Sequence, residues 1–173
     1  ERTAALGPLI DGGKIVGMSA RAPDRGEIEL RAPITIDASG FSAALRSHMP
    51  GSAFDMPRHI AREDSFVTYR DIRKNLSDDG STHVYFHKTG LNWIGRSMEG
   101  LVDFFAGSIN LPRRPSPSEM ALKMIRETKD ASPETVRGGY GAPIPVRHPL
   151  DSFVAPGLML CGASACQCYP ING

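Results

Sequence analysis

Apolar and polar positions alternate along much of this chain, in runs that are short and closely punctuated by turn residues. Residues 14–19 (KIVGMS) follow the turn pair Gly12-Gly13, and residues 27–31 (EIELR) follow Asp24-Arg25-Gly26, so the two runs read as the strands of a hairpin. Residues 34–38 (ITIDA) form a β-branched run that predicts a buried strand stopping at Ser39-Gly40. From Phe41 to Met49 the period changes. Phe41, Ala44, Leu45 and His48 would share one face of a helix that Pro50-Gly51 ends. Strand, small-residue turn and helix in succession is the unit from which nucleotide-binding α/β folds are built.

Residues 52–64 are polar and irregular, and the alternation then returns. Strands are predicted over 65–71, 82–87, 92–96 and 101–109, with breaks at Asp78-Asp79-Gly80, Thr89-Gly90 and Glu99-Gly100, which is meander spacing. Pro117-Ser118-Glu119 opens an amphipathic helix to about Lys129. Further strands are expected over 136–144 and 158–161, the second running into the small residues Gly162-Ala163-Ser164-Ala165. The order is an α/β piece, a mostly antiparallel sheet with one helix, and a return to an α/β strand.

Composition narrows the function. Of 173 residues, 40% are hydrophobic and 23% charged, a globular balance. Lysine plus arginine (20) and aspartate plus glutamate (19) nearly cancel, which removes the electrostatic case for a dedicated nucleic-acid binder. No run approaches the roughly 18 apolar residues of a membrane span, and no signal peptide is visible. Three cysteines, Cys161, Cys166 and Cys168, fit a reducing cytoplasmic setting and small buried thiols better than a disulfide scaffold. Their spacing is too tight for the usual zinc knuckle, and the five histidines are scattered, so no metal is expected. Neither a G-x-S-x-G turn nor paired carboxylates point to a hydrolase. The chain begins at Glu1 and ends at Gly173 inside an apparent motif, which reads as a fragment.

Two stretches carry more specific information. The first is 36–46 (IDASGFSAALR). The second comprises 144–150 (IPVRHPL), 157–165 (GLMLCGASA) and 170–173 (PING). Together they resemble the geranylgeranyl reductase family of FAD-dependent oxidoreductases, colinearly from about residue 14 to the end. The middle matches less closely. Trp93 alone remains of the family's aromatic-x-Trp-x-Phe-Pro signature, with Leu91, Gly95 and Arg96 at its other places. Of the following Gly-x-Gly only Gly107 remains, with Phe105 in the first position.

The resemblance implies an α/β chain, α+β in its substrate part. A Rossmann-like FAD-binding domain, residues 1–52 and 151–173, would be interrupted by a mostly antiparallel substrate-binding sheet, residues 53–150. It implies that the family's G-x-G-x-x-G unit, which seats the pyrophosphate on a helix N-terminus, lies upstream. Gly40, Arg46, Gly162, Ala163, Ser164, Pro170 and Gly173 would lie at the FAD, and Trp93, Phe104 and Gly107 at the substrate. Glycine permits close backbone approach to a cofactor. Arg46 could pair with a phosphate or with a neighbouring carboxylate.

Ser39-Gly40 occupies the place of the family's Asp-Gly, and Gly162-Ala163 that of its Gly-Asp, whose aspartate accepts a hydrogen bond from the ribityl chain. Cys166 and Tyr169 stand where a glycine and an asparagine are usual. The reaction implied is hydride transfer from reduced flavin to a carbon–carbon double bond of an isoprenoid chain, a lipid or other small-molecule substrate that would bring the enzyme to a membrane surface. No side chain stands out as the catalytic proton donor. The same architecture serves flavin monooxygenases and halogenases, and the departures from the motifs also suit a degenerate domain that no longer binds flavin.

Overall fold

The structure is a computed structural model, and it describes residues 2–51, 56–77, 79–97, 99–111 and 115–169. The chain divides into two compact units, one made of Glu1–Ala61 with Ile144–Gly173 and the other of Arg62–Pro143.

In the first unit, β1 (Ala4–Asp11), β2 (Lys14–Ala22) and β3 (Gly26–Arg31) form an antiparallel meander in that order. The expected β2–β3 hairpin is present, paired from Gly17 opposite Arg31 to Ala22 opposite Gly26. Strand β1 was not anticipated. Its sequence, Ala-Ala-Leu-Gly-Pro-Leu-Ile-Asp, lacks a β-branched run, and pairing with β2 imposes the extended form, with irregularities at Ala5/Gly7 and Leu9/Ile10. A second sheet joins β4 (Thr35–Asp37), β10 (Val154–Ala155) and β11 (Leu158–Leu160) in the order β10-β11-β4, with β11 parallel to β4. Ile15, Leu45, Met49, Leu150, Leu158 and Leu160 pack together as the core of this unit.

Two expectations for this unit are corrected. Strand β4 is an edge rather than a buried strand. It is three residues long, and Ile34 and Ile36 stay 59% and 62% exposed. The helix expected over 41–49 is instead two separate 3₁₀ turns, Gly40–Ser42 and Arg46–His48. Side chains take over the backbone donors a helix would need: Ser39 Oγ accepts from Ala44 N at 2.6 Å, and Asp37 Oδ2 accepts from Leu45 N at 3.0 Å and Arg46 N at 3.2 Å. Between the turns Ala43 has φ +43°, a left-handed conformation that ends the first of them. Among the described residues the protein is therefore sheet-rich with a single α-helix.

The second unit is a five-stranded sheet in the order β6-β7-β8-β5-β9, formed by β5 (Ser65–Asn75), β6 (Thr82–His87), β7 (Gly90–Arg96), β8 (Leu101–Ile109) and β9 (Ala131–Pro145). The β6–β7 and β7–β8 pairs are antiparallel, as the meander spacing predicted, whereas β5 pairs antiparallel with β8 rather than with its sequence neighbour β6. Helix α1 (Pro117–Glu127) starts with proline at its first position and a capping box between Ser116 and Glu119. Hydrogen bonds from the Ser116 backbone N–H, then from its hydroxyl, hold the Glu119 carboxyl below the usual glutamate range.

Alternation along β8 divides the sheet. Val102, Phe104, Ala106 and Ser108 are buried on the face that α1 packs against. Leu91 and Trp93 of β7 and Phe105 and Gly107 of β8 are paired on the other face. On that second face Gly107 makes room for Phe66 of β5. A Cβ at position 107 would lie 2.2 Å from Phe66 Cε1. Gly107→Ala is expected to displace that buried ring and lower stability by about 1–3 kcal/mol, read from the urea denaturation midpoint.

Candidate functional site

In the first unit, parallel β4 and β11 pair Leu158 with Thr35, Met159 with Ile36 and Leu160 with Asp37, so the two strands end level. Each runs into a tight 3₁₀ turn, Gly40–Ser42 after β4 and Gly162–Ala165 after β11, and the two turns pack together. The carboxyl ends of parallel strands are where α/β sheets bind ligands. Gly40 and Gly162 have φ +74° and +65°, conformations that side-chain-bearing residues avoid. No atom lies within 4 Å of where a Cβ would stand on either glycine, so the space above both is open to a flat group.

The sequence reading missed Asp37, on which this arrangement turns. The Asp37 carboxylate is 2% exposed. Its Oδ1 accepts from Ser39 N at 3.0 Å and Ser39 Oγ at 2.6 Å, while Oδ2 takes the Leu45 and Arg46 amides. A signal was available: a carboxylate closing a β-branched run and followed by Ala-Ser-Gly is placed to organise its own turn. Ser164, fully buried on the neighbouring turn, locks the two strands together. Its hydroxyl reaches the main-chain carbonyls of Asp37 and of Cys161 and accepts from Cys161 N at 3.2 Å.

Arg46 is 1% exposed. Its Nε donates to Ser164 O at 2.9 Å and its Nη1 to Pro57 O, so the guanidinium staples backbone segments rather than standing free on the surface. Burial pulls its pKa below the ordinary arginine value. Arg147 acts in the same direction, and Cys166 and Asp37 oppose. Ala163 is half-buried beside Gly162 in the second turn. Pro170 and Gly173 lie outside the described residues. The structure thus gathers Gly40, Arg46, Gly162, Ala163 and Ser164 at the ends of two strands.

In the second unit Trp93 and Phe105 stack with ring centroids 3.8 Å apart and planes 9° from parallel. Trp93 Nε1 donates to Asp103 Oδ2 at 3.1 Å, and Arg70 holds the same carboxylate with Nε and Nη2 at 3.0 and 2.8 Å. Gly107 shares this face. Phe104 does not: it is fully buried on the α1 side, because neighbours along a strand point to opposite faces. Phe105 is the aromatic residue that accompanies Trp93.

None of the three cysteines is in a disulfide, and Cys161 is exposed rather than buried. Desolvation raises the Cys168 thiol pKa, with a smaller contribution from Cys166. Among the described residues no three His, Cys, Asp or Glu side chains are grouped to hold a metal ion, and no helix is long and apolar enough to cross a membrane.

Asp37→Ala would strip four hydrogen bonds from one buried carboxylate. It is expected to destabilise the chain by about 3 kcal/mol or more, seen as a lower urea midpoint, whereas Ser42→Ala on the exposed side of the same turn should change it by less than about 0.5 kcal/mol.

No family model matches the chain. Over 184 aligned residues it is 21% identical to the digeranylgeranylglycerophospholipid reductase of Sulfolobus acidocaldarius, an alignment covering 99% of this chain and 40% of that protein. A geranylgeranyl bacteriochlorophyll reductase-like protein from Thermoplasma acidophilum superposes with a TM-score of 0.78 at 22% identity, over 97% of this chain and 43% of that one. The myxobacterial chondrochloren halogenase, an FAD-dependent enzyme, does so with a TM-score of 0.66 at 18% identity, over 99% of this chain and 42% of that one. The chain spans about two-fifths of the length of these relatives. The likeness to geranylgeranyl reductases read from the sequence is found again by both comparisons, and the fold is one that such reductases share with FAD-dependent halogenases.

Proposed function

We propose that the chain is part of an FAD-dependent oxidoreductase that reduces carbon–carbon double bonds of an isoprenoid chain. The observation that carries this reading is the pair of open glycine turns, at Gly40 and Gly162, where parallel β4 and β11 end. Nothing within 4 Å of either absent Cβ obstructs a flat cofactor lying against the backbone, so the residues present fit the group. A reduced flavin bound there would supply the hydride for one alkene carbon, a proton going to the other.

In this reading residues 1–52 and 151–173 belong to a Rossmann-like cofactor domain and residues 53–150 to the substrate domain. Gly40, Gly162 and Ala163 would line the cofactor. Pro170 and Gly173 would continue that lining, as the family resemblance implies. Arg46 and Ser164 would act one step back. Both are spent on main-chain carbonyls, and by fixing the two turns they hold the glycine backbone in place for the cofactor. Trp93, Phe105 and Gly107 would form an apolar wall that holds the isoprenoid and excludes water. The polar grip on Trp93 by Asp103, itself held by Arg70, fixes the indole plane. Supporting the substrate class is the name of the Sulfolobus acidocaldarius relative, a reductase of a geranylgeranyl lipid. Such a substrate would bring the enzyme to a membrane surface.

Titration of the folded chain with FAD, followed by flavin absorbance and fluorescence, is expected to give saturable binding that Gly162→Val abolishes. No binding by a folded chain would overturn the reading. Ala163→Asp, which restores an acceptor for the ribityl chain, should tighten binding by about ten- to a hundredfold. Turnover of a geranylgeranyl lipid with reduced flavin is expected to add two hydrogens per double bond without consuming oxygen, whereas oxygen consumption would instead indicate a monooxygenase or halogenase.

A further inference from the structure

On the α1 side of the sheet, opposite Trp93, a cleft of about 410 Å³ opens between β6, β7 and the last turn of α1. Tyr85, Asn92, Ile94, Met124 and Glu127 line it. A smaller cleft of about 170 Å³ adjoins it, sharing His87 and continuing to Met120, one turn earlier on the same helix. The larger cleft includes one polar side chain left unsatisfied. Asn92 is 7% exposed, and its Oδ1 is buried with no hydrogen-bond partner. Such an orphan acceptor is uncommon in a folded protein and marks a place where a donor from outside would be gained.

Glu127 contributes a carboxylate on the cleft wall. The helix ends there, with Thr128 N bonded back to Met124 O and Ile125 O, so the negative end of the α1 dipole lies against the same space. Tyr85 offers an aromatic face that attracts cations. Among the described residues no lysine or arginine lines the cleft. Arg96 is engaged with Asp130 at 3.1 Å and Asp79 at 3.8 Å, whereas Lys123 lies 3.9 Å from Glu127 itself across exposed surface and is the cation a ligand would displace there. Ile94, Met124 and Met120 supply apolar, adaptable surface for the rest of a ligand.

We propose that this cleft binds an organic cation, a primary ammonium or amidinium group carried on an apolar body. The charged N–H donors meet Glu127 and Asn92, and the body lies along Met124 toward Met120. The site is on the other face of the sheet from Trp93 and Phe105, and the inference does not rest on the flavin reading.

The test is titration of the 173-residue chain with benzamidine, followed by methyl NMR of Met120, Met124 and Ile94, with benzoate as an anion of the same shape. Saturable shifts of these methyls by benzamidine and none by benzoate are expected. Glu127→Gln, at a side chain 66% exposed and so without consequence for folding, should weaken binding about tenfold. Asn92→Leu should weaken it further. Absence of saturable shifts, equal binding of benzoate, or Glu127→Gln binding as tightly as the unaltered chain would each overturn the proposal.

Discussion

The first unit depends on one polar knot between segments far apart in the sequence. The Ser164 hydroxyl reaches the Asp37 carbonyl across 127 residues, and Arg46 reaches the Ser164 carbonyl across 118. The participants are buried, so no water can substitute for a lost partner, and each group left alone would carry its full desolvation cost. The knot works because every member has a complementary task. Asp37 gathers four donors from its own loop, Ser164 secures the parallel strands, and Arg46 ties Ser164 to the Pro57 carbonyl. Parallel pairing over only three residues would hold little by itself, and side chains supply the remainder.

This knot also explains what the sequence could and could not reveal. The strands of the second unit were legible because alternation and turn residues agree there. The runs 82–87 and 101–109 coincide with β6 and β8, and α1 starts at the proline that announced it. Residues 41–49 misled because their apolar spacing suits a helix while Ser39 and Asp37 compete for its amide hydrogens, a contest that periodicity does not register. Strand β1 was invisible because its extended form comes from its partner and not from its own residues. At the candidate site the glycines were legible as turn formers, but Asp37 was not, since its significance lies in which amides it meets. Phe104 and Phe105 are neighbours of equal hydrophobicity, and only the register with Trp93 tells them apart.

The sheet of the second unit keeps two faces with distinct chemistry. One carries the stacked Trp93–Phe105 pair, with a charged bracket of Asp103 and Arg70 at its side and Phe66 resting over Gly107. The other is covered by α1 over Val102, Phe104 and Ala106 and loosens toward β6, a strand exposed along its whole length. The Trp93–Phe105 stack and its Asp103–Arg70 bracket thus lie on one side, and Phe104 under α1 on the other. A single period-two pattern in β7 and β8 is enough to separate them.

The parallel pairing of β4 with β11 has a consequence for how the chain acquires its shape. These strands enclose about 120 residues, and closing a loop of that size costs about 2 kcal/mol more in chain entropy than closing one of about ten. The antiparallel β6–β7–β8 meander closes only short loops, so it is the cheaper structure to form first. During synthesis from the N-terminus, β4 must wait without its parallel neighbour until Leu158 has emerged, and Ile36 on it and Ile34 just before it stand exposed even in the finished fold. The nascent protein therefore passes through an interval in which an apolar strand edge is open to any other chain nearby. That interval ends only when β11 has been made.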